Sequence, residues 1–191
     1  MKPTLQTAFS VIVLFTISCT KESSQNSSLV STPSSGNSVA AHYIGQHYGG
    51  GVIFYIDTTG QHGLIADTVD FDHIEWWNGT FIITGATAKG IGKGSSNTKK
   101  IISAQGKTGN YAALICSKYK GSGYTDWFLP SKNELNELYK QKDLVGGFTS
   151  SFYWTSSEYF LTNYWLQFFS NGLQSFAGPN NNGYVRPVRA F

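Results

Sequence analysis

Apolar residues recur along this chain at two periods, and the switches between them mark out its elements. Val52-Ile53-Phe54-Tyr55-Ile56 is a β-branched and aromatic run that reads as a strand; Thr58-Thr59-Gly60-Gln61 turns it, and Gly63-Leu64-Ile65-Ala66 runs back. Tyr111 to Cys116 reads as the apolar face of a helix running from Asn110 through Tyr119 and stopping at the Gly121 and Gly123 turn. Leu135, Leu138 and Tyr139 again fall at helical spacing, with Asn133, Asn136 and Lys140 on the wet side of a helix that ends near Lys142. Gly146-Gly147 breaks the chain, and strand character returns in Phe152–Glu158 and Tyr164–Phe169. The Ser170-Asn171-Gly172 turn follows, then a polar loop from Gly178 to Gly183, and Tyr184 to Phe191 reads as one terminal strand.

One junction is punctuated with unusual clarity, at Asp126–Leu135. An aromatic strand end reaches Pro130, which lacks a backbone donor and keeps Leu129 extended. Ser131 is then a natural N-cap, and Glu134 completes the Ser-x-x-Glu capping box. Strand end, proline and capping box account for the stretch structurally, so Ser131 and Glu134 are assigned structural roles. Glu158 is expected to have one as well, as an ion-pair partner of Arg186 or Arg189.

Composition narrows the class. The 191 residues hold one ordinary domain and a tail. With 21 Gly, 15% aromatic and only 13% charged residues, the chain suits a loop-rich domain with rings in its core and argues against a helical bundle. A net charge of +3 gives no field that demands nucleic acid, and no nucleic-acid partner is expected.

The N-terminus supplies an address. Lys2 precedes an apolar run from Ala8 to Ile17, too short for the roughly 20 residues that span a bilayer, so residues 1–18 read as a signal peptide. Ser18-Cys19 resembles a bacterial lipobox, in which Cys19 is acylated and becomes the mature N-terminus; an ordinary signal peptide with an incidental Cys is the alternative. Residues 19–41 are rich in Ser and too polar to offset their ordering entropy, which predicts a disordered tether to a folded domain over 42–191. Lipidation at Cys19 makes the membrane a partner and the bacterial cell envelope, at the outer membrane, the location. Cys116 is then the one thiol of the mature domain, expected to be buried and inert.

Charge placement divides the chain. Asp57, Asp67, Asp70, Asp72 and Glu75 fall in a stretch without Lys or Arg, and Lys89, Lys93, Lys99, Lys100, Lys107, Lys118 and Lys120 in one without acids. The preferred expectation is that the two stretches neutralise each other across the fold. The competing one is a lysine-bearing loop, Gly85 to Lys107, facing polyanionic sugars or lipid phosphates. Gly49-Gly50-Gly51 precedes a strand and has no Lys-Ser/Thr after it, which rules out a phosphate loop. Asp67 to His73 lacks the spacing of a calcium loop, so a solvated acidic loop is expected, with no metal and no cofactor.

Several blocks together resemble a known family. Tyr48-Gly49-Gly50-Gly51-Val52-Ile53-Phe54-Tyr55, Gly60-Gln61-His62-Gly63-Leu64, Asp126 to Leu135, Tyr153-Trp154-Thr155-Ser156-Ser157-Glu158 and Val185-Arg186-Pro187-Val188-Arg189 look like the Lcl C-terminal domain, a bacterial domain of unknown function found at the end of a collagen-like adhesin. More distantly, the Leu-Pro-Ser-x-x-Glu block and the terminal Arg-x-x-Arg strand are similar to formylglycine-generating sulfatase-modifying and C-type lectin-like folds. The resemblance implies an α+β, C-type lectin-like domain: small antiparallel sheets flanked by two helices, long loops, and chain ends close together. It carries over little of a site. The Glu-Pro-Asn or Gln-Pro-Asp calcium loop of sugar-binding lectins is missing at Gly178-Pro179-Asn180, as is their Trp-Asn-Asp at Trp77-Asn78-Gly79, and Cys116 lacks the second cysteine of a formylglycine-generating enzyme.

The expectation is therefore a non-catalytic domain that binds glycans or polyanionic surface polymers, with an enzyme of the formylglycine-generating superfamily or a structural assembly subunit as alternatives. Candidate ligand-binding residues are Trp76, Trp77, Asn78, Lys89, Lys93, Lys99, Lys100, Tyr159 and Asn180, with Trp165 among the rings considered. Trp154 and Trp165 are expected in the core. Asp126, Glu134, Glu158, His62 and His73 are the acid–base candidates an enzyme would draw on, and no nucleophile–base–orienter set is visible.

Overall fold

The glycine-flanked run and its return form a hairpin, β2 (Gly51–Ile56) with β3 (Gly63–Ala66), edged by the short β1 (His47–Tyr48). The chain is a computed structural model that describes residues 41–191. The expected signal peptide, Cys19 and all of the expected tether but its last residue lie outside them. After β4 (Phe71–Ile74) come four α-helices: α1 (Gly94–Gln105), α2 (Ala112–Lys118), α3 (Lys132–Lys140) and the single turn α4 (Lys142–Val145). Five strands follow: β5 (Phe152–Phe160), β6 (Asn163–Phe168), β7 (Gln174–Ala177), β8 (Gly183–Val185) and β9 (Val188–Ala190). The architecture is α+β.

The chain end makes two strands where the sequence suggested one. β8 joins the larger sheet, ordered β4-β8-β5-β6-β7, while β9 joins the smaller, ordered β1-β2-β3-β9. Arg186-Pro187 lies at the crossing, where Pro187 has no N–H to continue a ladder and its carbonyl instead accepts from Asp67 N at 3.1 Å. The expected antiparallel pairing holds for the other strand pairs, but β8 meets β5 in parallel through Tyr153 and Tyr184. There are also four α-helices among the described residues, against the two expected. The domain ends do meet: the His42 ring lies 4.9 Å from that of Phe191.

Three clusters form the core. One sets α1 and α2 against the larger sheet, with Ile101, Ala113, Leu114, Trp154, Tyr164 and Leu166. A second sets α3 against the β2–β3 hairpin through Val52, Phe54, Leu135 and Leu138. Ile53, Ile65 and Trp127 close the hairpin's other face. Val39–Phe191 form a compact unit. All three clusters close within that unit, so this segment contains what it needs to fold alone.

α1 corrects the loop of the competing lysine-bearing reading, since Gly94 to Gln105 of it is helical. Its buried residues, Gly94, Asn97, Thr98, Ile101 and Gln105, have helical spacing, but only Ile101 is strongly apolar. No side chain caps its start, and its first turn holds no acid. Hydrophobic periodicity and capping were both silent there.

Candidate ligand-binding face

Glu134 fixes the ground on which the site stands. Ser131 caps α3 and the capping box is complete: Glu134 Oε2 accepts from Ser131 N at 2.7 Å, and Ser131 Oγ from Glu134 N at 3.4 Å. The same carboxylate accepts from Gly94 N at 3.3 Å, so one acid ties together the starts of α1 and α3. A Cβ at Gly94 would clash with this carboxylate, which is why the helix opens on glycine. Burial is the main influence on Glu134 and raises its pKa, and the N–H groups around it oppose the rise.

The loop before α1 is bound along β5. Glu158 Oε1 accepts from Thr84 N (2.8 Å) and Thr84 Oγ1 (2.9 Å), and Ser157 Oγ donates to Ala88 O at 2.7 Å. Asn133 N donates to Lys89 O at 2.9 Å, which fixes Lys89 beside the first turn of α3. Lys132 is held by its own N–H on Ser157 Oγ (3.1 Å) and by Gln174 Nε2 on its carbonyl (3.0 Å).

These fixed backbones direct two ammonium groups at one ring. Lys132 Nζ lies 3.7 Å from the centroid of Trp165 and Lys89 Nζ 5.3 Å from it. Trp165 pairs across strands with Phe176, and Tyr159 stacks on Phe176 at 4.3 Å and meets Trp165 edge-on at 4.9 Å. The three rings form a row over β5, β6 and β7, on the side opposite the inward-facing Tyr164 and Leu166. Neither lysine has a carboxylate partner among the described residues. Partial burial lowers the pKa of Lys132, and the charge of Lys89 lowers it further. Chemically, this is a ring platform with two crowded cations. A planar sugar face stacks on such rings, and an anion placed between the lysines relieves their repulsion.

The other sequence candidates separate clearly. Trp76 is fully buried, stacked on Tyr164 at 3.6 Å with its indole N–H on Thr155 O, so it is corrected from ligand residue to core. Trp77 is half-buried against the first core cluster. Asn78 is held locally, donating to Gln105 O and accepting from Thr80 N. Lys93, Lys99 and Lys100 are exposed at the start of α1 and along it, with Lys100 Nζ on Gly85 O at 3.1 Å. Asn180 is exposed in the loop after β7. Only Lys89 and Tyr159 of the original set reach the platform. Trp165 is corrected from core to a half-buried surface ring. Lys132 and Phe176 were missed, although outward alternation of Trp165 between Tyr164 and Leu166 was there to be read.

Charge pairing also departs from expectation. No ion pair joins the acidic stretch to the basic one among the described residues. Asp67 is buried, Asp70 is half-buried, and Phe71 to Ile74 is a strand, so the solvated acidic loop is corrected at these acids, while Asp72 is exposed as expected. Glu158 pairs with neither arginine. Fully buried Arg186 takes Asp70, along with the carbonyls of Asp67 (2.8 Å), Gly146 (3.2 Å) and Gly147 (2.9 Å), and lies 3.9 Å from the Phe148 ring. Gly146 and Gly147 adopt positive φ, which turns their carbonyls to it. Arg189 grips Asp126 with both arms, at 2.8 and 2.9 Å, and this hydrogen bonding lowers the Asp126 pKa.

Among the described residues no group of three or more His, Cys, Asp and Glu side chains is placed to hold a metal. Cys116 is buried and its pKa is pushed up by that burial. The acids whose pKa departs from the ordinary value, Asp57, Asp126 and Glu134, are bonded to Thr59, to Arg189, and to Ser131 and Gly94 respectively.

No protein-family model matches the chain, and no curated protein does. Among solved structures, a fimbrial protein from Bacteroides ovatus ATCC 8483 is similar at 16% identity and a TM-score of 0.49, with 72% of this chain and 43% of that one covered. The chain thus spans less than half the length of that protein.

Proposed function

We propose that this domain is the non-catalytic binding module of a lipid-anchored bacterial envelope protein, holding anionic glycans or other polyanionic surface polymers on the Trp165 platform. The finer fold reading, a C-type lectin-like arrangement, belongs to the same proposal and accords with the long loops and adjoining chain ends. One observation carries the binding reading: two lysines without carboxylate partners converge on one partly exposed indole. Rings supply a stacking surface for sugar, and the ammonium groups supply point charges for carboxylate, sulfate or phosphate. Lys lacks the fork of Arg, so selection is by charge density more than by anion shape, and binding is sensitive to salt.

The absence of catalysis is part of the proposal. Its support is that, among the described residues, every acid with a shifted pKa already has a hydrogen-bonding partner inside the fold. The Asp126 and Glu134 that an enzyme would draw on are engaged by Arg189 and by two backbone N–H groups.

A glycan array probed with residues 39–191 at low and high salt tests the binding reading. Acidic glycans are expected to bind at low salt and to be released at high salt, with neutral glycans weaker throughout. No acidic binding at low salt contradicts it.

A further inference from the structure

The β5–β6 hairpin ends in an apolar tip that the platform does not use. Phe160 pairs with Asn163, which leaves Leu161 and Thr162 as a two-residue turn. Such turns favour Asn-Gly and similar pairs, because they need positive φ. Leu161 sits there at φ 47°, a left-handed conformation that is unfavourable for a branched aliphatic residue. Both apolar side chains at the tip are mostly solvent-facing, Phe160 65% exposed and Leu161 55%. Exposed Phe81 and Ile83 lie on the loop that Thr84 ties to Glu158, two residues before Phe160. The one carboxylate here, Glu158, is buried and bonded to Thr84.

We propose that this tip enters the interfacial layer of a bilayer bearing anionic headgroups, with Phe160 and Leu161 at the acyl boundary. Two arguments favour lipid over protein as the occupant. The apolar groups project from a tight turn rather than line a groove, and a bilayer receives such a convex shape without a complementary cavity. Charge and ring placement agree: Tyr159 and Trp165 follow along the two strands from the turn, and aromatic residues favour the membrane interface. Lys89 and Lys132 stand over Trp165 with no carboxylate partner, positioned for lipid phosphates. Only the preference for anionic lipid rests on the anion-binding reading of these lysines; insertion of the tip does not.

The test is co-sedimentation of residues 39–191 with vesicles of phosphatidylcholine alone or mixed with phosphatidylglycerol. Partition onto the mixed vesicles is expected, reduced at least about tenfold in F160S/L161S. Thermal unfolding and the binding of a soluble polyanion should be unchanged in that variant, which separates failure of insertion from failure of the platform. K89A/K132A should lose the preference for anionic vesicles. No partition onto either vesicle, or partition that survives F160S/L161S, overturns the proposal. So does self-association dissolved by F160S/L161S while vesicles stay unbound.

Discussion

Two arginines near the chain end and two lysines over Trp165 carry the same charge in opposite circumstances. Arg186 and Arg189 each meet a carboxylate and at least one backbone carbonyl, and both are buried. Lys89 and Lys132 meet an aromatic ring and each other's field, with no carboxylate partner among the described residues. A buried charge without a partner costs several kcal/mol, so the arginines had to be matched within the fold. An ammonium at the surface keeps part of its hydration and can wait for an external anion. The contrast separates structural cations from those available to a ligand, which net charge alone conceals.

The largest expected effect lies on the arginine side. R186M leaves Asp70 half-buried without its cation and three carbonyls without a donor, a loss of about 3–5 kcal/mol. That is a large share of an ordinary domain's stability, and denaturant unfolding should show it as a far lower midpoint or no folded state. A midpoint near wild type would mean that the arginine cluster is not structural. E134A comes next, at about 1–3 kcal/mol, because Ser131 N and Gly94 N both lose their acceptor.

Acid titration sharpens the account of the two bonded acids, which act in opposite directions. Glu134 has a raised folded pKa. Between its ordinary value of 4.5 and that raised value the folded state binds more protons, so its contribution falls as pH rises through the window. E134Q should remove this slope. Asp126 has a lowered folded pKa, so its contribution is present above 3.8 and lost as pH falls through the folded value. Its side chain is largely exposed, which limits the pair to about 1 kcal/mol or less. D126N should therefore lower stability slightly at neutral pH and flatten the loss at the acid end, as read from unfolding midpoints across pH. The smallest effect on stability is expected for K89A/K132A, within roughly 0.5 kcal/mol.

The sequence made the α3 start readable because each signal there was local: Pro130, Ser131 and Glu134 specify a cap whatever surrounds them. The second role of Glu134, on Gly94, was not readable, because it joins positions far apart in the chain. α1 was hidden by a buried face of Asn97, Thr98 and Gln105, and the terminal strand concealed a change of sheet at Pro187. The platform was half legible. Lys89 and Tyr159 stood among the candidates, but Lys132 lay inside a stretch already explained by capping, and Trp165 was expected in the core. Charge matching was misread because pairing was sought between the acidic and lysine-rich stretches, whereas Asp70 and Asp126 are matched by arginines at the chain end and buried Glu134 and Glu158 by hydrogen-bond donors.

The most direct test is binding of a soluble sulfated polysaccharide to residues 39–191, wild type against K89A/K132A, across a range of salt. Wild-type binding should weaken steeply with salt, and the double variant should bind at least about tenfold more weakly at low salt, since each surface charge contact contributes on the order of 1 kcal/mol, with its unfolding midpoint unchanged. Equal binding by the two proteins, or weaker binding only alongside lost stability, would contradict the account.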